Sequence, residues 1–170
     1  KPLAPTLAEA EMIVAVARRE DRTLVVGYHL RHHAGHALVR RDLETLIGTP
    51  RTIHVRWAWP DPAVDGWRAR GDGARFWSVA ALGTHGVDLA LWLAGGGPSA
   101  QPPTDVRALL WPRDSIDHAA EISFEPAEGV LAHVSASVRH RAMSRLVVTG
   151  TKGEIEALGT LGARGDGEVF

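Results

Sequence analysis

The sequence contains no cysteine, which excludes disulfide bonds, thiolate metal ligands and cysteine nucleophiles. It has no run of about 18 apolar residues, so no membrane span is expected. No apolar stretch follows its first basic residue, as a secretion signal would require. Neither charge sign dominates, because 19 Lys and Arg are balanced by 20 Asp and Glu. We therefore expect no nucleic-acid or membrane partner and a cytoplasmic location.

Several nucleotide-binding and catalytic motifs are also missing. The chain has no Gly-x-Gly-x-x-Gly after a predicted strand, no phosphate-binding loop, no Gly-x-Ser-x-Gly and no His-Glu-x-x-His. The glycine cluster Gly95-Gly96-Gly97 follows a predicted helix and is interpreted as the end of that helix. We therefore expect these 170 residues to bind no dinucleotide cofactor by themselves.

Helical periodicity appears early in the chain. Thr6 and Glu9 form a capping-box pattern ahead of apolar residues at helical spacing, which predicts a helix over residues 7–20. A second helix is predicted over residues 34–47. Its inward side chains are predicted to be Leu38, Leu43, Leu46 and Ile47.

Strand patterns alternate with these helices and then dominate. Residues 23–27 form a short apolar run that predicts a buried strand, and residues 52–59 alternate with period two, as in a half-buried strand. Residues 60–76 are rich in Pro, Gly, Asp and Arg and predict a long loop. Further strands are predicted over 105–112, 117–125, 129–139, 144–150 and 154–158.

These elements predict one α+β domain over residues 1–170, because a chain of this length with 45% hydrophobic residues can bury a core. The expected form is an open, largely antiparallel sheet with helices on one face. The other face, small and mixed in polarity, is expected to meet water or another subunit. The last dozen residues are rich in glycine and are predicted to add little to the core.

One apolar segment contains a histidine. Residues 78–94 predict a buried helix whose few polar side chains include Thr84, His85 and Asp88. A buried imidazole needs a partner or a function. Asp88 lies three residues after His85, on the same helical face, and is one possible partner. Two interpretations remain open at this point: a core histidine paired with Asp88, or a histidine that faces a ligand cleft.

Four histidines also cluster within eight residues, at positions 29, 32, 33 and 36. In a helix, His32 and His36 would share a face at a spacing suited to a metal. No nearby acidic residue or cysteine completes such a site, so we predict no metal. The alternatives are a polar connection at the edge of the sheet, or a strand end at which Tyr28, His29 and Arg31 point into a ligand cleft.

The order of these motifs resembles the C-terminal half of oxidoreductases of the glucose–fructose oxidoreductase and inositol dehydrogenase (Gfo/Idh/MocA) family. The resemblance covers nearly the whole chain and rests on an ordered set of motifs. These are Lys1-Pro2, Ala8-Glu9-Ala10-Glu11, Val25-Val26-Gly27-Tyr28 with Arg31, Trp67-Arg68, Leu82-Gly83-Thr84-His85-Gly86-Val87-Asp88, Trp92-Leu93 and Gly150-Thr151-Lys152-Gly153.

The resemblance implies a fold and a domain role. The fold is the open sheet found in the C-terminal domains of dihydrodipicolinate reductase and glyceraldehyde-3-phosphate dehydrogenase. The chain is then the substrate-binding and oligomerisation domain of a larger two-domain enzyme, whose Rossmann domain precedes Lys1. The full-length protein would use NAD or NADP to act on a sugar, a polyol or a related hydroxy compound. A homodimer or tetramer would form through the sheet face.

The resemblance also implies roles for individual residues. Lys1 and His85 match the catalytic lysine and histidine, and Lys1 and Pro2 match positions next to the nicotinamide. A neutral imidazole suits proton transfer near pH 7, and an ammonium can stabilise a developing negative charge on oxygen. The residues assigned to the substrate are Tyr28, His29, Arg31, Trp67, Arg68, Trp77 and Thr84. The alternative is that the tryptophans pack in the core or a loop and that the arginines are solvated.

The sequence departs from the family pattern at one position. Ala81 stands where the polyol dehydrogenases carry an aspartate, one helical turn before the histidine. Ser78, one turn further back, is a candidate replacement. The same departure favours a second hypothesis, in which the chain is a non-catalytic binding or assembly module that retains the fold.

Overall fold

A computed structural model describes residues 1–60, 77–95, 102–113 and 115–170. Seven strands form one sheet: β1 (Pro50–Ala58), β2 (Thr104–Trp111), β3 (Ala119–Ala127), β4 (Val130–Ser137), β5 (Arg145–Gly150), β6 (Glu154–Leu158) and β7 (Glu168–Val169). Their order is β2-β3-β4-β1-β5-β6-β7. All neighbouring strands are antiparallel except β1 and β4. The predicted open, largely antiparallel sheet of an α+β domain is therefore confirmed.

Period-two alternation produces one buried face of this sheet. In β4, the side chains of Val130, Ala132, Val134 and Ala136 are buried, while Leu131 is exposed. β1 follows the same pattern through Ile53 and Val55, which face Val148 and Leu146 of β5. Because neighbouring strands keep the same phase, their apolar faces merge into a single core.

Two helices cover the buried face of the sheet. Helix α2 (Ala34–Ile47) buries a stripe made of His36, Val39, Leu43 and Ile47. The predicted inward positions Leu43 and Ile47 are confirmed, whereas Leu38 and Leu46 are wrong, since they are 46% and 50% exposed. The helix carries more than one apolar stripe, and the position of the sheet decides which of them is covered.

Helix α1 (Leu7–Arg19) begins with the predicted capping box. The Thr6 hydroxyl accepts a hydrogen bond from the backbone N–H of Glu9, and the Glu9 carboxylate accepts one from the backbone N–H of Thr6. No side chain of this helix is buried, and Leu7 and Met12 are 75% and 63% exposed. Its apolar residues therefore add nothing to the core described above.

The predicted buried strand over residues 23–27 is wrong. The segment has no regular structure and pairs with no strand, and Val25 is 78% exposed. Both sides of β1 are occupied, by β4 and β5, so the segment has no central position open to it. It continues into a 3₁₀ turn over His29–His32, which precedes α2.

The predicted helix over residues 78–94 consists of two parts. A π-helical turn, Val79–Gly83, leads into helix α3 (Thr84–Leu93). π-Helical turns inside helices are frequent at functional sites. None of the described helices is long and apolar enough to cross a membrane.

The C-terminal segment contributes more to the fold than its composition predicts. Thr160 and Leu161 are fully buried, and β7 pairs with β6. The expectation that the last dozen residues add little to the core is therefore wrong. Of the predicted loop over residues 60–76, all but the first residue lies outside the described residues, as do Gly96 and Gly97.

Candidate functional site

Helix α3 is seated closely on the sheet, and this seating places His85. A Cβ atom at Gly86 would lie 2.7 Å from a methyl carbon of Val134 and 3.2 Å from one of Val55, so glycine permits the contact between the helix and the strands. The neighbouring His85 is 6% exposed. The helix therefore holds the imidazole at the interface with β1 and β4.

Three rings surround the His85 imidazole. The ring centroids of His29, Tyr28 and Trp57 lie 4.8, 5.5 and 5.7 Å from that of His85. The His29 and Tyr28 contacts are edge-to-face. We call His85 and these three residues the His85 cluster. Because α3, the 3₁₀ turn region and β1 each supply members, the cluster exists only in the folded domain.

A hydrogen bond and an ion pair fasten the 3₁₀ turn region to α3. The Tyr28 and Thr84 hydroxyls are 2.7 Å apart. The Arg31 guanidinium donates to both carboxylate oxygens of Asp88, from Nε at 2.8 Å and from Nη2 at 2.6 Å. Asp88 therefore has Arg31 as its partner, and the sequence-based hypothesis that it pairs with His85 is wrong. This bidentate pair orients the 3₁₀ turn beside His85.

The environment favours neutral imidazoles in the cluster. Burial, and next the charges of His29 and Lys1, lower the pKa of His85 from 6.5 to about 4. Burial and the charge of Lys1 also lower the pKa of His29. Among the described residues, neither His85 Nδ1 nor His29 Nε2 has a hydrogen-bond partner, although both atoms are buried. Two neutral imidazoles, each with one buried ring nitrogen that lacks a hydrogen-bond partner among the described residues, therefore lie side by side at pH 7.

Lys1 and Pro2 are exposed, and Lys1 is near enough for its charge to act on His29 and His85. A Cβ atom at Gly27 would stand 3.9 Å from Lys1 Cε, which places the lysine stem beside the segment that leads to Tyr28. The Lys1–Pro2 peptide bond is cis. The structure thus places Tyr28, His29 and Thr84 beside His85, with Lys1 close enough for its charge to lower the pKa of both imidazoles. The catalytic and substrate-binding roles of these residues stay predictions.

Ser78 and Trp77 belong to a different cluster. Asp117 is 1% exposed and accepts hydrogen bonds from Trp77 N at 2.5 Å, from Val79 N at 3.0 Å and from the Ser78 hydroxyl. The Trp77 ring packs edge-to-face on His118, with centroids 5.5 Å apart. Ser78 is fully buried in this network. It is therefore not available to replace the carboxylate missing at Ala81, and that expectation is wrong.

The residues assigned from the sequence and the residues found at the site are not the same set. Trp67 and Arg68 lie outside the described residues. Trp57 was missed, although its inward phase on β1 was visible in the alternation with Val55. Nothing in the sequence indicates that β1 and α3 place Trp57 against His85.

The other clustered histidines have local structural roles. His36 is fully buried, with Nδ1 2.9 Å from the Leu30 carbonyl oxygen and Nε2 2.8 Å from the Thr160 hydroxyl oxygen. Since a carbonyl only accepts, Nδ1 donates and Nε2 accepts. His33 caps α2 through Gly35 N. Within the ranges that the structure describes, no group of three or more His, Cys, Asp or Glu is placed to hold a metal ion.

A cleft of about 620 Å³ opens beside the His85 cluster. It lies between the end of β1, Leu82 of the π-helical turn, the connection from β4 to β5, and the C-terminal segment. We call it the Arg141 cleft. Its lining residues are Trp57, Ala58, Trp59, Leu82, Arg141, Ala142, Met143, Ser144, Gly159, Gly162, Ala163, Arg164 and Asp166. Trp57 therefore belongs to both the cluster and the cleft.

Comparison with known proteins agrees with this architecture. The family model described as the GFO/IDH/MocA C-terminal domain matches residues 41–156. The chain is 28% identical to the D-xylose 1-dehydrogenase [NADP(+)] of Haloarcula marismortui, over 91% of this chain and 44% of that protein. It is 31% identical to the 1,5-anhydro-D-fructose reductase of Ensifer adhaerens, over 58% of this chain and 30% of that protein. The chain thus spans less than half the length of these relatives.

A solved structure shows the same fold. The aldose-aldose oxidoreductase of Caulobacter crescentus, complexed with glycerol, superposes with a TM-score of 0.86 at 21% identity. The match covers 99% of this chain and 50% of that one. At this identity the likeness establishes the fold, and the chemistry has to be argued from the residues of this chain.

Proposed function

The chain belongs to the GFO/IDH/MocA C-terminal domain family, and from this premise we propose that it is the substrate-binding and oligomerisation domain of an NAD(P)-dependent oxidoreductase. The substrate class is a sugar, a polyol or a related hydroxy compound. The observation that carries the proposal is the His85 cluster, in which a buried neutral imidazole lies beside a lysine and a cleft. The rest of the enzyme, including its dinucleotide-binding domain, lies outside these 170 residues.

The nicotinamide end of NAD or NADP is assigned to Lys1 and Pro2. The imidazoles of His29 and His85 are neutral at pH 7, so they add no positive charge that would oppose the ring of the oxidised cofactor. The sequence has no glycine-rich loop for the cofactor phosphates. When bound, the nicotinamide supplies the hydride acceptor. In this chain, Lys1 and Pro2 would contact it.

His85 is the proton acceptor in this proposal. Oxidation of a carbinol releases a hydride from carbon and a proton from the hydroxyl group. His85 Nδ1 is buried, so Nε2 is the nitrogen assigned to the substrate hydroxyl. The Lys1 ammonium stabilises the negative charge that develops on that oxygen. Tyr28, His29 and Thr84 border the reacting carbon, and Arg31 holds this wall through Asp88.

Two of the remaining assigned residues keep their proposed roles with different support. Trp67 and Arg68 are carried over as substrate contacts from the family resemblance alone, whereas Trp77 is withdrawn, because its ring is buried against His118. Trp57 is added to them, because its ring contacts His85 and lines the cleft. The aromatic face gives an apolar wall on which a sugar ring can stack.

The test of the catalytic proposal is kinetic and uses the full-length protein. Sugar alcohols and cyclic polyols are assayed with NAD and with NADP, and His85→Asn is compared with the unmodified protein. General-base catalysis contributes about 10²–10⁴-fold, so kcat should fall by that factor while KM changes little. His32→Asn is the control, because His32 is exposed and lines neither the Arg141 cleft nor the outer face of the sheet. An unchanged kcat in His85→Asn would refute the role of His85.

The outer face of the sheet is the proposed contact between subunits. A shallow groove of about 730 Å³ crosses it and carries both charge signs, including Arg56, Glu121, Arg145 and Glu154. A second copy can pair such groups in an isologous dimer. Glu121→Lys, which removes the acceptor of His133 and Ser135, should raise the dimer dissociation constant in light scattering. A monomer at high concentration in the unmodified protein would contradict this assembly.

A non-catalytic module is the second candidate function. Ala81 and the involvement of Ser78 with Asp117 favour it, because neither residue offers His85 a carboxylate or a free hydroxyl. The coding sequence upstream of Lys1 distinguishes the two. A strand followed by Gly-x-Gly-x-x-Gly there supports the enzyme, whereas an unrelated domain supports the module.

A further inference from the structure

Backbone hydrogen bonds fix the walls of the Arg141 cleft. Trp59 N donates to Ser137 O at 2.9 Å, and Ala142 N donates to Ala58 O at 3.4 Å, so the β4–β5 connection is tied to the end of β1. On the other side, Gly159 N donates to Ser144 O at 2.9 Å. These bonds hold the lining backbone segments at set positions, so the side chains between them face a defined space.

The charges that line this cleft are unequal. Arg141 and Arg164 contribute two cations, and Asp166 contributes one anion. Within the described part of the chain, no carboxylate lies within 4.0 Å of either guanidinium. This contrasts with Arg31 and Arg41, which both bind an aspartate with two donors. The guanidinium groups of the cleft thus retain donors that can bind an anion.

Arg141 is also oriented by an aromatic ring. Its guanidinium carbon lies 4.5 Å from the centroid of the Trp59 ring, a cation–π contact. Stacking on an aromatic face leaves the in-plane N–H groups of an arginine available. Those groups match the spacing of two oxygens on a phosphate or a carboxylate.

We propose that the Arg141 cleft binds an anionic oxo-acid group of the substrate, so that the substrate class is anionic sugars. The inference rests on the proposed function, because it places the reacting carbon at His85. Trp57 contacts His85, and Trp59 follows it by about 7 Å of extended chain. One end of the sugar then stacks near Trp57 and His85, while the anionic group binds Arg141 and Arg164. Sugar phosphates and sugar acids both carry such an anionic group.

The first experiment measures binding without turnover. The 170-residue chain is titrated by calorimetry with glucose 6-phosphate, glucuronate and glucose, each at low and at high salt. We expect one or both anionic probes to bind at least about 10-fold more tightly than glucose, because charge-assisted bidentate hydrogen bonds form only with them. Their affinity should fall as salt rises. The two anionic probes distinguish a phosphate from a carboxylate.

Variants connect that binding to the cleft. Arg141→Gln and Arg164→Gln should each weaken the anionic probe about 10-fold and leave glucose unchanged. Arg141→Lys keeps the charge but cannot donate two parallel hydrogen bonds. Its affinity for the anionic probe should therefore lie between those of the unmodified protein and Arg141→Gln. Arg139→Gln is the matched control, since Arg139 is exposed on the same connection and does not line the cleft. All three arginine side chains are exposed, so the four variants should fold.

The outcomes separate this inference from the proposed function. Anion binding that depends on both arginines, in a full-length protein that oxidises no sugar, supports the cleft and refutes the function. Anion binding that is unaffected by Arg141→Gln and Arg164→Gln, in a full-length protein that turns over neutral sugars, refutes the cleft and leaves the function standing. Arginine-dependent binding of NADP in place of the sugar anions also overturns the inference.

Discussion

The imidazole rings of His29 and His85 meet edge to face with their centroids 4.8 Å apart, so the charge of His29 acts directly on the titration of His85. Burial is the largest cause of the lowered pKa of His85, and the charge of His29 is the next. His29→Asn removes that charge, and the pKa of His85 should rise from about 4 toward 6.5. Imidazole resonances followed by NMR against pH measure the shift.

The control for this titration is His32→Asn in the same 3₁₀ turn. His32 is exposed, and the rings that surround His85 do not include it. It should leave the pKa of His85 unchanged. If His29→Asn also leaves it unchanged, the two rings are not electrostatically coupled, and the proposed neighbour effect is wrong.

His36 makes the stability of the domain depend on pH. Burial lowers its pKa from 6.5 to about 4, so between these values the unfolded chain binds a proton that the folded chain does not. The stabilisation is complete above pH 6.5 and is lost as the pH falls through this range. It amounts to about 3 kcal/mol for His36 alone. Urea unfolding at a series of pH values measures the slope.

Two variants test whether His36 causes this pH dependence of stability. His36→Gln should lower stability at pH 7 and reduce the dependence between pH 6.5 and pH 4 by the share of His36, while His85 still titrates in the same range. His32→Gln should retain the full slope, since His32 is exposed. An equal slope in His36→Gln and the unmodified protein would show that other groups cause the acid sensitivity.

Asp117 fixes the start of the helix that carries His85. It accepts from two backbone N–H groups and from the Ser78 hydroxyl while almost fully buried. Asp117→Ala leaves these donors unsatisfied and should lower the free energy of unfolding by about 3 kcal/mol. Asp42→Ala is the control, because Asp42 binds only Arg41 beside it in sequence, at the surface. Denaturant unfolding compares them, and equal losses would contradict the capping role.

The Arg31–Asp88 pair should show strong coupling. Asp88 is only 8% exposed, so Arg31→Gln strands a buried carboxylate, at a cost of about 2 kcal/mol given that Arg31 itself is 39% exposed. Arg31→Gln combined with Asp88→Asn should recover part of this loss. A double-mutant cycle in chemical unfolding gives the interaction free energy. Strict additivity of the two single changes would mean that the bidentate contact contributes nothing.

Much of the sheet could be predicted from the sequence because strand alternation is local. In β4 and β1, buried and more exposed residues alternate along the strand, and this alternation alone indicates which side chains form the buried face. The choice of apolar stripe on α2 is not local. Leu38 was as apolar as Val39, and only the position of the sheet decides that Val39 is buried.

The site was predicted in part for the same reason. His85 stands out as a polar residue in an apolar helix, so composition alone draws attention to it. Its neighbours do not stand out, because the contact with Trp57 requires β1 to lie beneath α3. The partner of His36 is Thr160, which is 124 residues away in the chain. Such contacts depend on topology, which local patterns do not encode.

The central place of β1 bears on the order in which the domain is built during synthesis. Both neighbours of β1 are strands that begin at Val130 or later, although β1 itself ends at Ala58. The loops closed by these pairings are long, and their closure entropy has to be met before the pairings stabilise the chain. During synthesis, β1 therefore has no strand to pair with until β4 and β5 have been made. The position of Trp57 in the sheet is fixed only when these pairings form, so the part of the site that β1 supplies is completed late.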